Sequence, residues 1–131
     1  MSRVLVVEDE HELRRMMVEI LLEAGFDVED AADHREAIEI VEDGKPLDVI
    51  VTDILLPRVN GFALVRMATE KRADIKVVYV TGSIDPADEA VGPVLHKPFA
   101  AEVLVRTVRQ VLALPAQKSR TETCDQELSF P

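Results

Sequence analysis

Three short runs of uninterrupted apolar residues, Val4-Leu5-Val6-Val7, Val49-Ile50-Val51 and Val77-Val78-Tyr79-Val80, constrain this chain more than any other feature. Runs of that length without polar alternation are the mark of strands covered on both faces. A weaker run from Phe26 to Glu29 and a short one at Val94-Leu95 complete a set of five. Helical patterns lie between them. Leu13, Met16, Met17, Ile20, Leu21 and Ala24 recur three and four residues apart, which puts one apolar stripe, with the Met pair as core filling, on a helix ending at Gly25. Ala101, Leu104, Val105, Val108, Val111 and Leu112 make a second stripe, stopped by Pro115, and less regular helices fit Asp33 to Glu42 and Gly61 to Lys71. Alternating strands and helices imply right-handed crossovers, so the expected fold is a small doubly wound α/β sandwich with a five-stranded parallel sheet.

A chain of 131 residues with 47% hydrophobic content supports one core. Residues 1–114 are expected to form that domain and residues 115–131, which lack apolar periodicity, a polar and flexible tail. A formal net charge of −10 argues against a nucleic-acid or anionic-membrane surface. With no membrane-length apolar run and no leader pattern at the N-terminus, the chain reads as cytosolic. Its only cysteine, Cys124, offers neither a disulfide framework nor a metal cluster.

In a doubly wound sheet the ligand crevice lies outside the carboxyl ends of the strands. The first strand exits into Glu8-Asp9-Glu10 and the third into Asp53, followed by Ile54-Leu55-Leu56-Pro57. Carboxylates that converge in one crevice repel unless a proton or cation sits between them, and hard oxygen ligands suit Mg²⁺, so Glu8, Asp9 and Asp53 form a candidate open Mg²⁺ site. The fourth strand ends at Thr81-Gly82 and the fifth at His96-Lys97-Pro98-Phe99, adding a hydroxyl and an ammonium. Phosphoryl transfer to a carboxylate needs this set: Asp53 as nucleophile, Lys97 and the metal to neutralise developing charge, and Thr81 to donate a hydrogen bond.

Over about residues 3 to 114 the sequence resembles the receiver domain of two-component response regulators. The matching residues are the pair Glu8-Asp9, Asp53 as phosphoacceptor with Pro57 and Gly61 behind it, Thr81 as switch hydroxyl, and Lys97-Pro98-Phe99. The resemblance implies strand order 2-1-3-4-5, Mg²⁺ bound also by the carbonyl of Leu55, and a cis Lys97–Pro98 bond. It further implies a histidine kinase or histidine phosphotransferase as phosphodonor and a downstream protein partner, and it places Leu55 and Ser83 beside the path of the hydrolytic water. Two departures stand out. The segment from Thr81 to Lys97 is several residues short, leaving room between Asp85 and Pro93 for a stub of the fourth helix at most, and Val94 replaces the family's switch aromatic.

Each feature has a plainer reading when taken alone. Glu8 to Glu10 could be a helix start favoured by the dipole, Asp53 a loop acid, Thr81 a turn residue and Lys97-Pro98 a strand terminator. His11 and His34 read as helix-start residues and His96 as a surface residue. A flavin site would want a Gly/Ser/Thr-rich turn where the acids stand, and an aspartyl phosphatase a second acid where Leu55 stands. A binding module that has lost its switch, and one domain of a longer regulator or hybrid kinase, stay open beside the phosphoacceptor reading.

Overall fold

The computed structural model describes residues 2–82 and 90–115. In chain order the elements are β1 (Arg3–Val7), α1 (His11–Glu23), β2 (Asp27–Ala31), α2 (His34–Val41), β3 (Val49–Asp53), α3 (Gly61–Lys71), β4 (Lys76–Thr81), β5 (Val94–His96) and α4 (Ala101–Leu112). All neighbouring strands pair in parallel, in the order β2-β1-β3-β4-β5. The apolar runs are central strands because each feeds two cores at once. Leu5, Val7, Ile50 and Tyr79 point into a layer closed by α2 and α3, while Val4, Val6, Val51 and Val80 point into one closed by α1 and α4. Side chains alternate across a strand, so only a run that is apolar at every position can fill both layers.

Two expectations shift. The second strand starts at Asp27, not Phe26, and runs to Ala31. The reason is the end of α1: Gly25 adopts φ +99°, its N–H donates to the Leu22 carbonyl at 3.0 Å, and the Phe26 N–H donates to the Leu21 carbonyl at 3.1 Å. Those two bonds close a glycine-terminated helix cap, and they commit the Phe26 N–H to the helix before the ladder begins. The Met pair of α1 also divides. Met17 is fully buried, but Met16 lies at the rim of the stripe and is 44% exposed, so only one of the two fills the core. Of the stretch from Asp85 to Pro93, where at most a stub of the fourth helix was expected, residues 90–93 carry no helix; residues 83–89, which include Ser83, and the tail from 116 onward lie outside the described residues. Among the described residues no helix is long and apolar enough to cross a membrane.

Candidate phosphoacceptor site

The chain leaves β1 at Val7 and turns through Glu8 and Asp9 into α1, and it leaves β3 at Asp53 itself. Because β1 and β3 are adjacent and parallel, these exits share one edge of the sheet. One carboxylate oxygen from each of Glu8, Asp9 and Asp53 lies within 4.8 Å of the others; Glu8 and Asp53 are buried and Asp9 is exposed. Lys97, just beyond β5, reaches across β4 to this group. Its Nζ is 2.8 Å from Asp53 Oδ2 and 3.2 Å from Glu8 Oε1. The Lys97–Pro98 bond is cis. Thr81 closes β4 and is buried beside Lys97, whose N–H donates to the Thr81 carbonyl at 2.8 Å.

Backbone groups fix the two buried acids. The Leu55 N–H donates to Asp53 Oδ1 at 3.0 Å and the Glu10 N–H to Glu8 Oε2 at 3.1 Å. Behind Asp53 the loop is pinned by Gly61, whose N–H donates to the Ile54 carbonyl at 2.6 Å, and α3 is capped by Asn60 Oδ1, which accepts from the Ala63 N–H at 2.9 Å.

The charge balance is unfavourable without a cation. Burial pushes the Glu8 carboxyl up to about 7; the Glu10 N–H opposes this, the Asp53 carboxylate adds to it and Lys97 opposes it. Burial also works against the Lys97 ammonium, but the hydrogen bond and charge of Asp53, with those of Glu8, outweigh it and raise its pKa. Three carboxylates and one ammonium leave excess negative charge, and the donors are all oxygens. That set fits a small hard dication.

Sequence reading located Glu8, Asp9, Asp53, Thr81 and Lys97 at one edge, and the structure brings all five together. It placed Leu55 there as well, and the Leu55 side chain is 63% exposed. His11 and His34 begin α1 and α2, and His96 is exposed. Arg14 escaped notice although it contacts the Glu8 carbonyl, as did Tyr79, whose hydroxyl accepts from the Val91 N–H at 3.4 Å. A polar residue one turn into the helix after the acid pair was the available signal for Arg14.

A parallel sheet in this order, carrying an acid cluster, a buried hydroxyl and a lysine at its carboxyl edge, defines a doubly wound phosphoacceptor domain. The chain belongs to the response regulator receiver domain family, whose model matches residues 4–109, and is thus a phosphoacceptor of two-component signalling. It is 33% identical over 118 residues to the response regulator receiver protein CpdR of Brucella abortus, covering 86% of this chain and 98% of that protein. It is 37% identical over 119 residues to the sensor kinase CckA of the same organism, covering 85% of this chain but 12% of the kinase. Among solved structures, the response regulator TrrA of Thermotoga maritima in complex with Mg²⁺-BeF superposes with a TM-score of 0.76 at 27% identity, covering 85% of this chain and 99% of that one.

Proposed function

We propose that Asp53 accepts the phosphoryl group, from a histidine kinase or histidine phosphotransferase, and that Mg²⁺ is held by Glu8, Asp9, Asp53 and the Leu55 carbonyl. The observation that carries this reading is the aim of the Asp53 carboxylate, fixed between the Lys97 ammonium at 2.8 Å and the Leu55 N–H at 3.0 Å. An Asp53 oxygen attacks phosphorus, the bond from phosphorus to the donor imidazole nitrogen breaks, and the imidazole leaves with that electron pair. Lys97 stays charged throughout and meets the phosphoryl oxygens, and Thr81 donates to one of them. Bound Mg²⁺ supplies further charge neutralisation at those oxygens. The domain promotes its own phosphorylation and, slowly, its own dephosphorylation, and acts otherwise as a signalling partner. We take residues 1–114 as the receiver unit, with 115–131 outside it.

Incorporation of phosphate from acetyl phosphate with and without Mg²⁺ tests the reading. In calorimetric titration, Glu8→Gln/Asp9→Asn is expected to weaken Mg²⁺ binding by at least ~10-fold, since altering only the outer partners of metal ligands costs that much. Unchanged affinity would place the metal elsewhere.

Loss of phosphate needs a water held in line with phosphorus. Leu55 can neither orient nor deprotonate one. Leu55→Asn is therefore expected to shorten the lifetime of the phosphorylated chain by ~10-fold, less than the ~100-fold at which proton-transferring groups begin, because an amide orients water without deprotonating it. The check is decay of radiolabel from purified phosphoprotein in Mg²⁺, and an unaltered half-life would remove Leu55 from the water path.

Output is proposed to pass through protein docking near β5 and α4. A groove of about 440 Å³ lies there, lined by Phe62, Val65, Tyr79, Val91 and Pro93, with Leu114 exposed at its end. The expected contact stretch from Asp85 to Pro93 is described only from residue 90. Phosphorylation is expected to change hydrogen exchange at Val91, Val94 and Leu114. Changes confined to residues 34–45 would move the output face to α2.

A further inference from the structure

The guanidinium of Arg14 is joined to the loop that carries the acid pair. Its Nη1 donates to the carbonyl oxygen of Glu8 at 2.9 Å, its Nε donates to Asp30 Oδ2 at 3.0 Å, and its Nη2 lies 3.2 Å from His11 Nδ1. The Asp30 side chain is 49% exposed, but that of Arg14 is only 14% exposed, so the guanidinium is held from the protein side. On the other side of the same residue, the Glu8 N–H donates to the Ala31 carbonyl at 3.1 Å, at the end of β2. Both peptide groups flanking Glu8 are thereby tied: the one before it to the β2 backbone, the one after it to Arg14 and through Arg14 to Asp30, next to Ala31.

The peptide held by Arg14 is the one that joins Glu8 to Asp9. Its plane sets the course of the chain into Asp9, which is exposed while Glu8 and Asp53 are buried. Glu8 and Asp53 are further fixed by Lys97 and by backbone N–H groups. The position of Asp9 thus depends on the orientation of this peptide. The guanidinium meets the Asp30 carboxylate and the Glu8 carbonyl through two different nitrogens held at a fixed spacing, a geometry that the single nitrogen of a lysine does not reproduce.

We propose that Arg14 is a positioning residue for cation binding, which locks the Glu8–Asp9 peptide against the end of β2 and so preorganises Asp9. The proposal rests on the reading that Glu8 and Asp9 hold Mg²⁺. Its effect has a sign opposite to that of simple charge. A cation near an acidic site repels Mg²⁺, so removing the Arg14 charge alone would tighten binding. Removing a positioning group weakens it.

The experiment is calorimetric Mg²⁺ titration of Arg14→Met in the full chain, beside Glu8→Gln/Asp9→Asn. Arg14→Met keeps the aliphatic stem and deletes the fork. It is expected to raise the Mg²⁺ dissociation constant by ~10-fold, the lower range for outer partners of metal ligands. In metal-free protein the Asp9 and Glu10 amides should exchange hydrogen faster, with the melting temperature held within a few degrees. Equal or tighter Mg²⁺ binding would overturn the proposal while leaving the acid-pair reading intact, provided that the double variant loses affinity. Retained affinity in the double variant would overturn both. Should Arg14→Met fail to fold, Arg14→Lys keeps the charge and the stem; native affinity in that variant overturns the proposal, and weakened affinity supports it.

Discussion

Asp53→Asn is expected to take up no phosphoryl group from acetyl phosphate in Mg²⁺, where the native chain is expected to take up one. The amide matches the carboxylate in size, so its oxygen can still accept the Leu55 N–H that now meets Oδ1 at 3.0 Å. What vanishes is the proposed nucleophile and one charge. Lys97 would lose its 2.8 Å partner and keep Glu8, at 3.2 Å. The fold is expected to survive without loss of thermal stability, because the charge of Asp53 is one of the influences that push the buried Glu8 carboxyl up to about 7, and an amide no longer repels it. Labelling and melting curves together separate loss of chemistry from loss of structure. A folded Asp53→Asn chain that still gained one labelled phosphate would place the acceptor on another side chain.

The carboxylate edge was readable in the sequence because a parallel sheet has only one place for it. Once Val4 to Val7 and Val49 to Val51 are strands of one parallel sheet, Glu8 and Asp53 must emerge at the same edge, and the strand order that the resemblance implies makes their exits neighbours. Lys97 followed for the same reason from Val94-Leu95. What could not be read depends on contacts between elements far apart in sequence. Phe26 is apolar and precedes a strand, but a helix cap takes its N–H. Arg14 stands among the charged residues of α1, and only the β1–β2 register, which sets Val6 opposite Asp30 and Val7 opposite Ala31, shows that it meets the Glu8 carbonyl and Asp30 at once. Tyr79 looked like core alone. Its register partner is Val94, the position where the resemblance calls for an aromatic ring, and its ring packs 5.1 Å from that of Phe62. The groove lined by α3, β4 and the segment entering β5 thus keeps an aromatic residue, supplied by the strand beside Val94.

Gly61, which stands behind Asp53, carries the other large effect. It begins α3 and is buried, and a Cβ there would meet the carbonyl oxygen of Asp53 directly, with the Ile54 Cα at 3.0 Å and the Asp53 carbonyl carbon at 3.2 Å. All three are backbone atoms, so no side chain can swing aside. Either α3 retreats, breaking the 2.6 Å bond from the Gly61 N–H to the Ile54 carbonyl, or the exit of β3 moves. Gly61→Ala is expected to cost ~1–3 kcal/mol, the usual range for overpacking a filled site. The loss of function should be larger than that figure suggests, because the atom displaced belongs to Asp53, the proposed phosphoacceptor. A shift of about 1 Å in a reacting group costs on the order of 100-fold in rate. Gly82→Ala is the matched control: among the described residues its added methyl would find only Lys97 Cδ, at 3.9 Å, which is ordinary contact. The expected outcome is a lowered melting temperature and a ~100-fold slower uptake of label for Gly61→Ala, with Gly82→Ala close to native in stability. Native labelling in a destabilised Gly61→Ala chain would mean that the helix yields and the strand does not, so that the glycine serves the packing of α3 without setting the aim of Asp53.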